Sequence, residues 1–180
     1  MVIPFISIGE WMRISLGKVK KEMRSVCFDG NSLFLIDQRA LPFKLGIVEC
    51  RSAKQVALAI RSMVVRGAPA IGVAAAYGFV LGLKKAKGGK KELMQRARTV
   101  FKLLNESRPT AVNLRNSLQR IMKACKHSRN AEEGKLAALT IAERINHENL
   151  MACKMIGLNG AKLVKKGSRI LTICLSLIHI

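Results

Sequence analysis

The chain is short of acidic residues: its 180 positions hold 11 Asp and Glu against 32 Lys and Arg, for a formal net charge of +21. This balance makes polyanions plausible partners. Aromatic residues are scarce as well, at 4%, and the basic residues fall in short clusters near the ends of apolar segments, where helix C-termini favour cations. Because no aromatic residues interleave with the charges and no groove-reading motif is present, nucleic-acid binding is not favoured as the main role.

Paired cysteines are also lacking. The five cysteines are odd in number, widely spaced and without a CxxC pair or a histidine at metal-ligand spacing, so neither a disulfide framework nor a metal site is predicted. A reducing, cytoplasmic setting follows. No secretory signal is evident at the N-terminus. The longest uncharged run, residues 67–83, is rich in Ala and Gly and fits a buried helix better than a membrane span.

Hydrophobic periodicity predicts an α+β N-terminal domain, in which a small antiparallel sheet precedes a helical bundle. Two strands within residues 24–37 are joined at Asp29 and Gly30, because Asp-Gly readily adopts a tight hairpin turn, and a third strand fits residues 46–50. Helices are predicted over 53–64, from Pro69 to the lysines at 84–85, and over 92–105, 109–124 and 135–165. The last of these helices has a candidate break near Gly157 or Gly160.

Three segments divide the chain. Residues 1–22 read as a terminal extension, the segment where disorder is most expected, and residues 23–166 form the sheet-plus-helical domain. Residues 167–180 contain RILTICLSLIHI, which reads as a buried strand. A buried parallel strand needs neighbouring strands and covering helices, so either a partner chain completes this sheet or the segment begins a domain that is not finished within these residues.

Arg66 stands alone beside the long uncharged run. It precedes Gly67, Ala68 and Pro69, and Pro69 suits the first turn of a helix. Free N–H groups and the positive end of the helix dipole favour an anion at such a position, and an arginine can hold phosphate oxygens bidentately. The alternative is that Arg66 only ends the preceding helix while the small residues pack a core.

The same arrangement recurs at Arg108, which precedes Pro109 at another predicted helix start. Two arginines at two helix N-termini could converge on one anion, although Arg-Pro pairs are common. Cys174 is a third candidate, since it lies near the C-terminal end of a predicted strand, where open α/β sheets place ligand groups. A buried structural thiol is the alternative for Cys174. The three histidines share no common spacing, and Walker, GxGxxG, GxSxG and HExxH motifs are absent from the sequence.

These segments resemble the N-terminal half of the methylthioribose-1-phosphate isomerase family, which is related to the regulatory subunits of initiation factor 2B. The resemblance covers about residues 23–174. It is carried by LIDQRALPF at 35–43, MVVRGAPAIGVAAAYG at 63–78, SRPTAVNL at 107–114, GAKLVKKG at 160–167 and RILTIC at 169–174. The pair RGAPAIG and RPTAVNL is specific, and the two occur in the family's order.

The resemblance implies an intramolecular oxidoreductase of methionine salvage, an aldose–ketose isomerase. It would convert methylthioribose 1-phosphate to methylthioribulose 1-phosphate without a metal or organic cofactor, as a homodimer when complete. By the same resemblance Arg66, Gly67, Ala68 and Arg108 would hold the substrate, and Cys174 would be the catalytic cysteine. A thiol with a suitable pKa can transfer a proton at the sugar carbons.

The sequence departs from the family pattern around Cys174. Ile173 and Leu175 stand where the family has histidine and asparagine, and no glycine-rich turn follows. By the resemblance residues 167–180 would be the first strand of an incomplete Rossmann-like domain, and the family's catalytic aspartate would lie in that domain beyond residue 180. We therefore expect a truncated or frame-shifted product that is inactive alone. Two other functions stay open. One is a noncatalytic regulatory or RNA-binding subunit related to initiation factor 2B, and the other is an isomerase of ribose 1,5-bisphosphate or 5-deoxyribose 1-phosphate.

Overall fold

The computed structural model describes residues 12–16 and 19–171. Five strands come first: β1 (Met12–Leu16), β2 (Val19–Met23), β3 (Val26–Phe28), β4 (Leu33–Ile36) and β5 (Ile47–Cys50). Five helices follow: α1 (Ala53–Arg61), α2 (Ala68–Leu83), α3 (Lys90–Asn105), α4 (Val112–His127) and α5 (Ala131–Ala161). The predicted small antiparallel sheet followed by a helical bundle is confirmed.

The sheet is an antiparallel meander in the order β3-β4-β5. Asp29 closes the predicted hairpin: its carboxylate accepts hydrogen bonds from the backbone N–H groups of Asn31 and Ser32, each at 2.7 Å, and Gly30 adopts a φ of 93°. The buried faces of β3 and β4 include Val26, Leu33 and Leu35. Alternation of buried and exposed positions therefore fixes the sheet on the helices.

The N-terminal extension contains secondary structure that the sequence did not predict. Strands β1 and β2 pair antiparallel, with Met12 opposite Met23 and Leu16 opposite Val19. The described part of residues 1–22 is thus a hairpin, although disorder was most expected there. The two paired strands are close along the chain. The lysines of VKKEM interrupt the alternation of apolar and polar residues that would have predicted the second strand.

Helix α2 is the centre of the bundle. None of its 16 residues is charged, and 12 of them are buried. The other helices pack around it because its glycines permit close approach. A Cβ on Gly78 would lie 2.8 Å from a methyl group of Val56 in α1, and a Cβ on Gly82 would lie 2.6 Å from both methyl groups of Val100 in α3.

Several helix boundaries differ from the predicted ones. Helix α1 ends at Arg61, three residues early, and α4 begins at Val112, three residues late. Helix α5 begins at Ala131 and runs for 31 residues without the expected break. Gly157 and Gly160 have no atom within 4 Å of an added Cβ, so they are tolerated inside the helix because nothing packs against them.

The C-terminal strand predicted for residues 167–180 falls largely outside the described residues. Residues 167–171 lie within the structure and are not in a strand. Cys174 lies beyond them. The four cysteines within the described part of the chain, Cys27, Cys50, Cys125 and Cys153, are free thiols. Among the helices described, none has the length and apolar character needed to cross a membrane.

Candidate anion site at two helix N-termini

Arg66 follows a tightly built turn between α1 and α2. Helix α1 ends in a Schellman motif, in which the N–H of Val64 donates to the carbonyl of Ala59 at 2.9 Å and Met63 adopts the required left-handed φ of 62°. Val64 and Val65 are then buried, at 3% and 0% exposure. Buried residues therefore fix the backbone directly before Arg66.

A second contact holds the same turn from the sheet side. The N–H of Gln38 donates to the carbonyl of Val64 at 3.0 Å. The neighbouring Asp37 carboxylate accepts two hydrogen bonds from the Arg39 guanidinium, at 2.8 and 2.7 Å, which hold the pKa of Asp37 below its usual range, and the charge of Arg66 lowers it further. The contacts of Gln38 and Asp37 with this turn were not predicted from individual residues. Both residues lie in LIDQRALPF, a segment of the family resemblance that could have indicated them.

The N-terminus of α2 is open. Gly67 is the N-cap, with a φ of 87°, and no side chain caps the helix. Pro69 has no N–H to satisfy, and the first helical hydrogen bond runs from Ile71 to the carbonyl of Gly67 at 3.0 Å. The first-turn N–H groups of Ala68 and Ala70 precede that bond, so helix geometry leaves them without intrahelical acceptors.

The N-terminus of α4 is open in the same way. Its N-cap is Ala111, no side chain caps it, and its first turn holds no acidic residue. Arg108 lies in the preceding turn, where its carbonyl accepts a hydrogen bond from the N–H of Ala111 at 3.0 Å. Pro109 and Thr110 are exposed residues of that turn rather than the predicted first turn of the helix.

The two open N-termini lie side by side. Gly82 and Gly78 of α2 contact Val100 and Leu104 of α3 in turn, so α2 and α3 are antiparallel. The short connection to α4 reverses the direction again. A Cβ on Gly72, in the second turn of α2, would lie 3.1 Å from the carbonyl oxygen of Asn113 and 3.0 Å from Ser117 Oγ in α4.

The two arginines flank these N-termini, and both are half-buried. Across the described residues neither guanidinium has a hydrogen bond or an ion pair to another side chain, and the buried Nε of Arg66 has no hydrogen-bond partner. Arginine donors and free backbone N–H groups are the usual ligands of phosphate. The arrangement can therefore hold an anion, and the structure brings Arg66, Gly67, Ala68 and Arg108 to the same end of the bundle.

The buried thiols of the described residues are not evident acids or bases for a reaction. Burial raises the pKa of Cys125 to about 11, and burial is also the main cause of the raised pKa values of Cys27 and Cys50, so these thiols stay protonated near neutral pH. No group of three or more His, Cys, Asp or Glu side chains that could hold a metal ion occurs in the described residues. Cys174, the predicted catalytic residue, lies outside them.

Known proteins resemble this chain over most of its length. The curated methylthioribose-1-phosphate isomerase of Thermotoga maritima is 45% identical over 158 residues, and the putative enzyme of Methanocaldococcus jannaschii is 43% identical over 156. These matches cover 87% and 86% of this chain but only 45% and 43% of the relatives. The chain thus spans about half the length of the curated relatives it matches.

Two solved structures have the same fold. The 5-methylthioribose 1-phosphate isomerase of Pyrococcus horikoshii superposes with a TM-score of 0.74 at 35% identity, covering 78% of this chain and 40% of that one. The delta subunit of translation initiation factor eIF-2B from A. fulgidus has a TM-score of 0.75 at 37% identity, covering 81% and 43%. The model of the initiation factor 2 subunit family matches residues 64–178, and the chain belongs to this family.

Proposed function

We propose that this chain supplies the phosphate-binding part of a methylthioribose-1-phosphate isomerase. The observation that carries the proposal is the pair of adjacent, uncapped N-termini of α2 and α4, each preceded by an arginine without a side-chain partner among the described residues. The similarity to curated isomerases, at 41–45% identity for relatives such as those of Thermotoga and Nostoc, names the substrate.

In this proposal the substrate phosphate binds between the two N-termini. Arg66 and Arg108 donate to its oxygens, and the backbone N–H groups of Gly67 and Ala68 approach it directly, because Gly67 has no side chain to obstruct them. The positive ends of two parallel helix dipoles add to the attraction. The phosphate fixes the sugar in place, so these residues serve binding and orientation rather than proton transfer.

The reaction itself is an internal oxidation and reduction. The bond between C1 and the ring oxygen breaks, and the ring oxygen takes up a proton. The hydrogen of C2 moves to C1 with its electron pair, and the C2 hydroxyl gives up its proton as C2 becomes the ketone. C1 gains the electron pair that C2 loses, so no external oxidant is needed. We assign proton transfer to Cys174, on the segment after Gly167 that the family resemblance puts in a Rossmann-like domain, and we propose a homodimer. General acid–base catalysis needs a second group, which the resemblance puts outside these 180 residues, so we expect them to be inactive by themselves.

Titration calorimetry of the chain with methylthioribose 1-phosphate tests the binding role. Arg66→Ala and Arg108→Ala should each weaken binding by about 10- to 100-fold, since a hydrogen bond to a charged group contributes roughly 1.5–3 kcal/mol. Arg115→Ala is the matched control, because Arg115 is an exposed arginine one turn into α4, and it should leave the affinity nearly unchanged.

Two results would count against the proposal. Equal weakening in all three variants would show general electrostatic attraction to a basic protein instead of a site. Turnover by the 180-residue chain, abolished by Cys174→Ser, would contradict the assignment of a second catalytic group outside it. Competition by ribose 1,5-bisphosphate and 5-deoxyribose 1-phosphate measures selectivity for the substituent at C5.

A noncatalytic role is the second candidate, because the delta subunit of initiation factor eIF-2B superposes as well as the isomerase does. A regulatory subunit has no need of a sugar-phosphate site. Absence of methylthioribose 1-phosphate binding in the folded chain, as judged by circular dichroism, would favour this second role.

A further inference from the structure

Positive charge is concentrated in one part of the chain. Residues 90–127, which comprise α3, α4 and the turn between them, contain ten Lys and Arg but only two Glu. Helix α4 contains no acidic residue at all. Helix α5 is different, because its exposed residues Glu132, Glu133 and Glu148 lie among the exposed Arg144 and the half-buried Lys135. A mixture of signs is the ordinary composition of a solvated helix face, so α3 and α4 depart from it.

Five of these ten basic residues fall on two stripes, one on each helix. Lys91, Arg98 and Lys102 of α3 are seven and four residues apart, and Arg115 and Lys126 of α4 are eleven apart. At 3.6 residues per turn each set lies on one side of its helix. All five side chains are exposed. We call these five residues the basic seam.

The two stripes border the line where α3 and α4 meet. On α3, the opposite flank faces α2, because Arg96 Nε donates to the carbonyl of Gly82 at 2.6 Å. On α4, the opposite flank faces α5, because Arg120 pairs with Glu148 at 2.6 Å. The stripes therefore lie away from these contacts, on the exposed sides of two adjacent helices.

The antiparallel packing sets the order of charges along the seam. The N–H of Ala131 donates to the carbonyl of Gly88 at 3.2 Å, which ties the start of α3 to the end of α4. Lys91 therefore lies at the same end of the seam as Lys126, and Lys102 lies at the same end as Arg115. The outermost seam residues are eleven positions apart on each helix, so the seam extends along about 17 Å of helix.

These charges are almost unneutralised. Lys102 has one distant acidic partner, Glu106, at 3.9 Å, and the other four seam residues have no ion pair within residues 12–16 and 19–171. Like charges lined up along two adjacent helices repel one another at low salt. A ligand with regularly spaced negative charges would remove that repulsion and release its own counterions.

The neighbouring residues determine which polyanion fits. No Phe, Tyr or Trp is exposed on α3 or α4, and the imidazole of His127 at the end of α4 is their one exposed aromatic ring, so successive bases of a single strand have no continuous stacking surface. Val112, at one end of α4, is the one large hydrophobic residue that is exposed on these helices, so an apolar face for membrane insertion is missing as well. Gln95 and Gln119 add neutral hydrogen-bonding groups between the cations. We propose that the basic seam binds the phosphate backbone of a nucleic-acid duplex, independently of sequence.

Fluorescence anisotropy with 20-base-pair mixed-sequence duplexes tests this, using one RNA and one DNA duplex and the corresponding single strands. A seam variant replaces Lys91, Arg98, Lys102, Arg115 and Lys126 with glutamine. A control variant replaces five exposed lysines elsewhere, Lys44, Lys54, Lys162, Lys165 and Lys166, and so carries the same net charge. The seam variant should lose at least about 10-fold in affinity and reduce the slope of log K against log salt by about four, while the control changes far less.

A charge-preserving variant, with lysine and arginine exchanged at the five seam positions, should retain duplex binding, which separates charge from folding. Whichever duplex, RNA or DNA, binds more tightly identifies the kind of nucleic acid that the seam prefers. Equal losses in the seam and control variants would overturn the proposal. Equal affinity of the unmodified protein for single strands and duplexes would also overturn it. A seam variant that loses binding to phosphatidylserine vesicles but keeps duplex binding would overturn it as well.

Discussion

Helices α2 and α5 start in opposite ways. Helix α5 satisfies its own N-terminus: the Asn130 side chain accepts a hydrogen bond from the N–H of Glu133 at 3.0 Å, and two glutamates occupy the first turn. Helix α2 has neither a side-chain cap nor an acidic residue there. A capped end contributes stability by itself, whereas an uncapped end beside an unpaired arginine leaves its donors for a ligand.

The two helices also differ in their surroundings. Helix α2 is enclosed by other helices, and its small residues allow neighbouring side chains to come close. Helix α5 is packed over its first half only, and every residue from Met151 to Asn159 is exposed. A substitution in α2 should therefore report on packing, and a similar one late in α5 should report on helix propensity alone.

The largest expected effect concerns Tyr77, where α2 meets α5. Burial raises the pKa of Tyr77 to about 12, although a hydrogen bond with Asn146 of α5 opposes part of this shift. Because the folded-state pKa lies above the ordinary value of 10, the buried neutral phenol stabilises the fold fully below pH 10. That contribution, about 2 to 3 kcal/mol, is lost as the pH rises from 10 through 12.

Denaturant unfolding at several alkaline pH values measures this loss. Tyr77→Phe should remove its part of the alkaline dependence, and the difference between the two proteins isolates the phenol from Cys125, which ionises in the same range. Since Tyr77 is the one tyrosine of the chain, phenolate absorbance gives its pKa directly. A phenol titration midpoint near 10 in the folded protein would show that Tyr77 of α2 is accessible to water.

Matched glycine substitutions should sharpen the packing difference. Gly82→Ala in α2 places a Cβ against both methyl groups of Val100, and we expect a net destabilisation of about 1 to 2 kcal/mol after the gain in helix propensity is subtracted. Gly157→Ala in α5 meets no atom within 4 Å and should stabilise by up to about 1 kcal/mol. The same sign for both changes in free energy of unfolding would contradict the difference in packing.

Exchanging the capping states should have the smallest effect on stability. Asn130→Ala removes the cap of α5 and should cost about 1 kcal/mol. Ala111→Asp gives α4 a cap and an anion, because the extended backbone at Ala111 suits an N-cap, and should stabilise by a similar amount. The same substitution should weaken phosphate binding, measured by calorimetry. Unchanged phosphate affinity would separate α4 from the site.

The sequence predicted most helices and strands because their signals are local. Ser52 and Gln55 mark the start of α1, and the Ser52 side chain accepts a hydrogen bond from the Gln55 N–H at 3.3 Å. Pro69 marks the first turn of α2. The errors have local causes too. Pro109 was taken as the first turn of α4, yet it lies in the turn before it, since proline suits both positions equally.

Part of the candidate site could be predicted from the sequence. Arg66 and Arg108 could be recognised as arginines before helix starts, but their convergence depends on α2 and α4 running parallel in contact at Gly72. The basic seam was not visible in this way, because net charge does not reveal which faces carry it. Cys174 remains a prediction from the family resemblance.

The sequence alone determined the α+β arrangement, the hairpin at Asp29, the uncharged central helix and the family, since each depends on neighbouring residues or on a motif. Only the tertiary structure decided that two helix N-termini share one end of the bundle and that two basic stripes share one seam. The physical reason is that both features bring together residues up to about forty positions apart, which come close only when the helices pack. The direction of that packing is set by close contacts at Gly72, Gly78 and Gly82. Each of these contacts joins two different helices, so no single segment of the sequence reveals it.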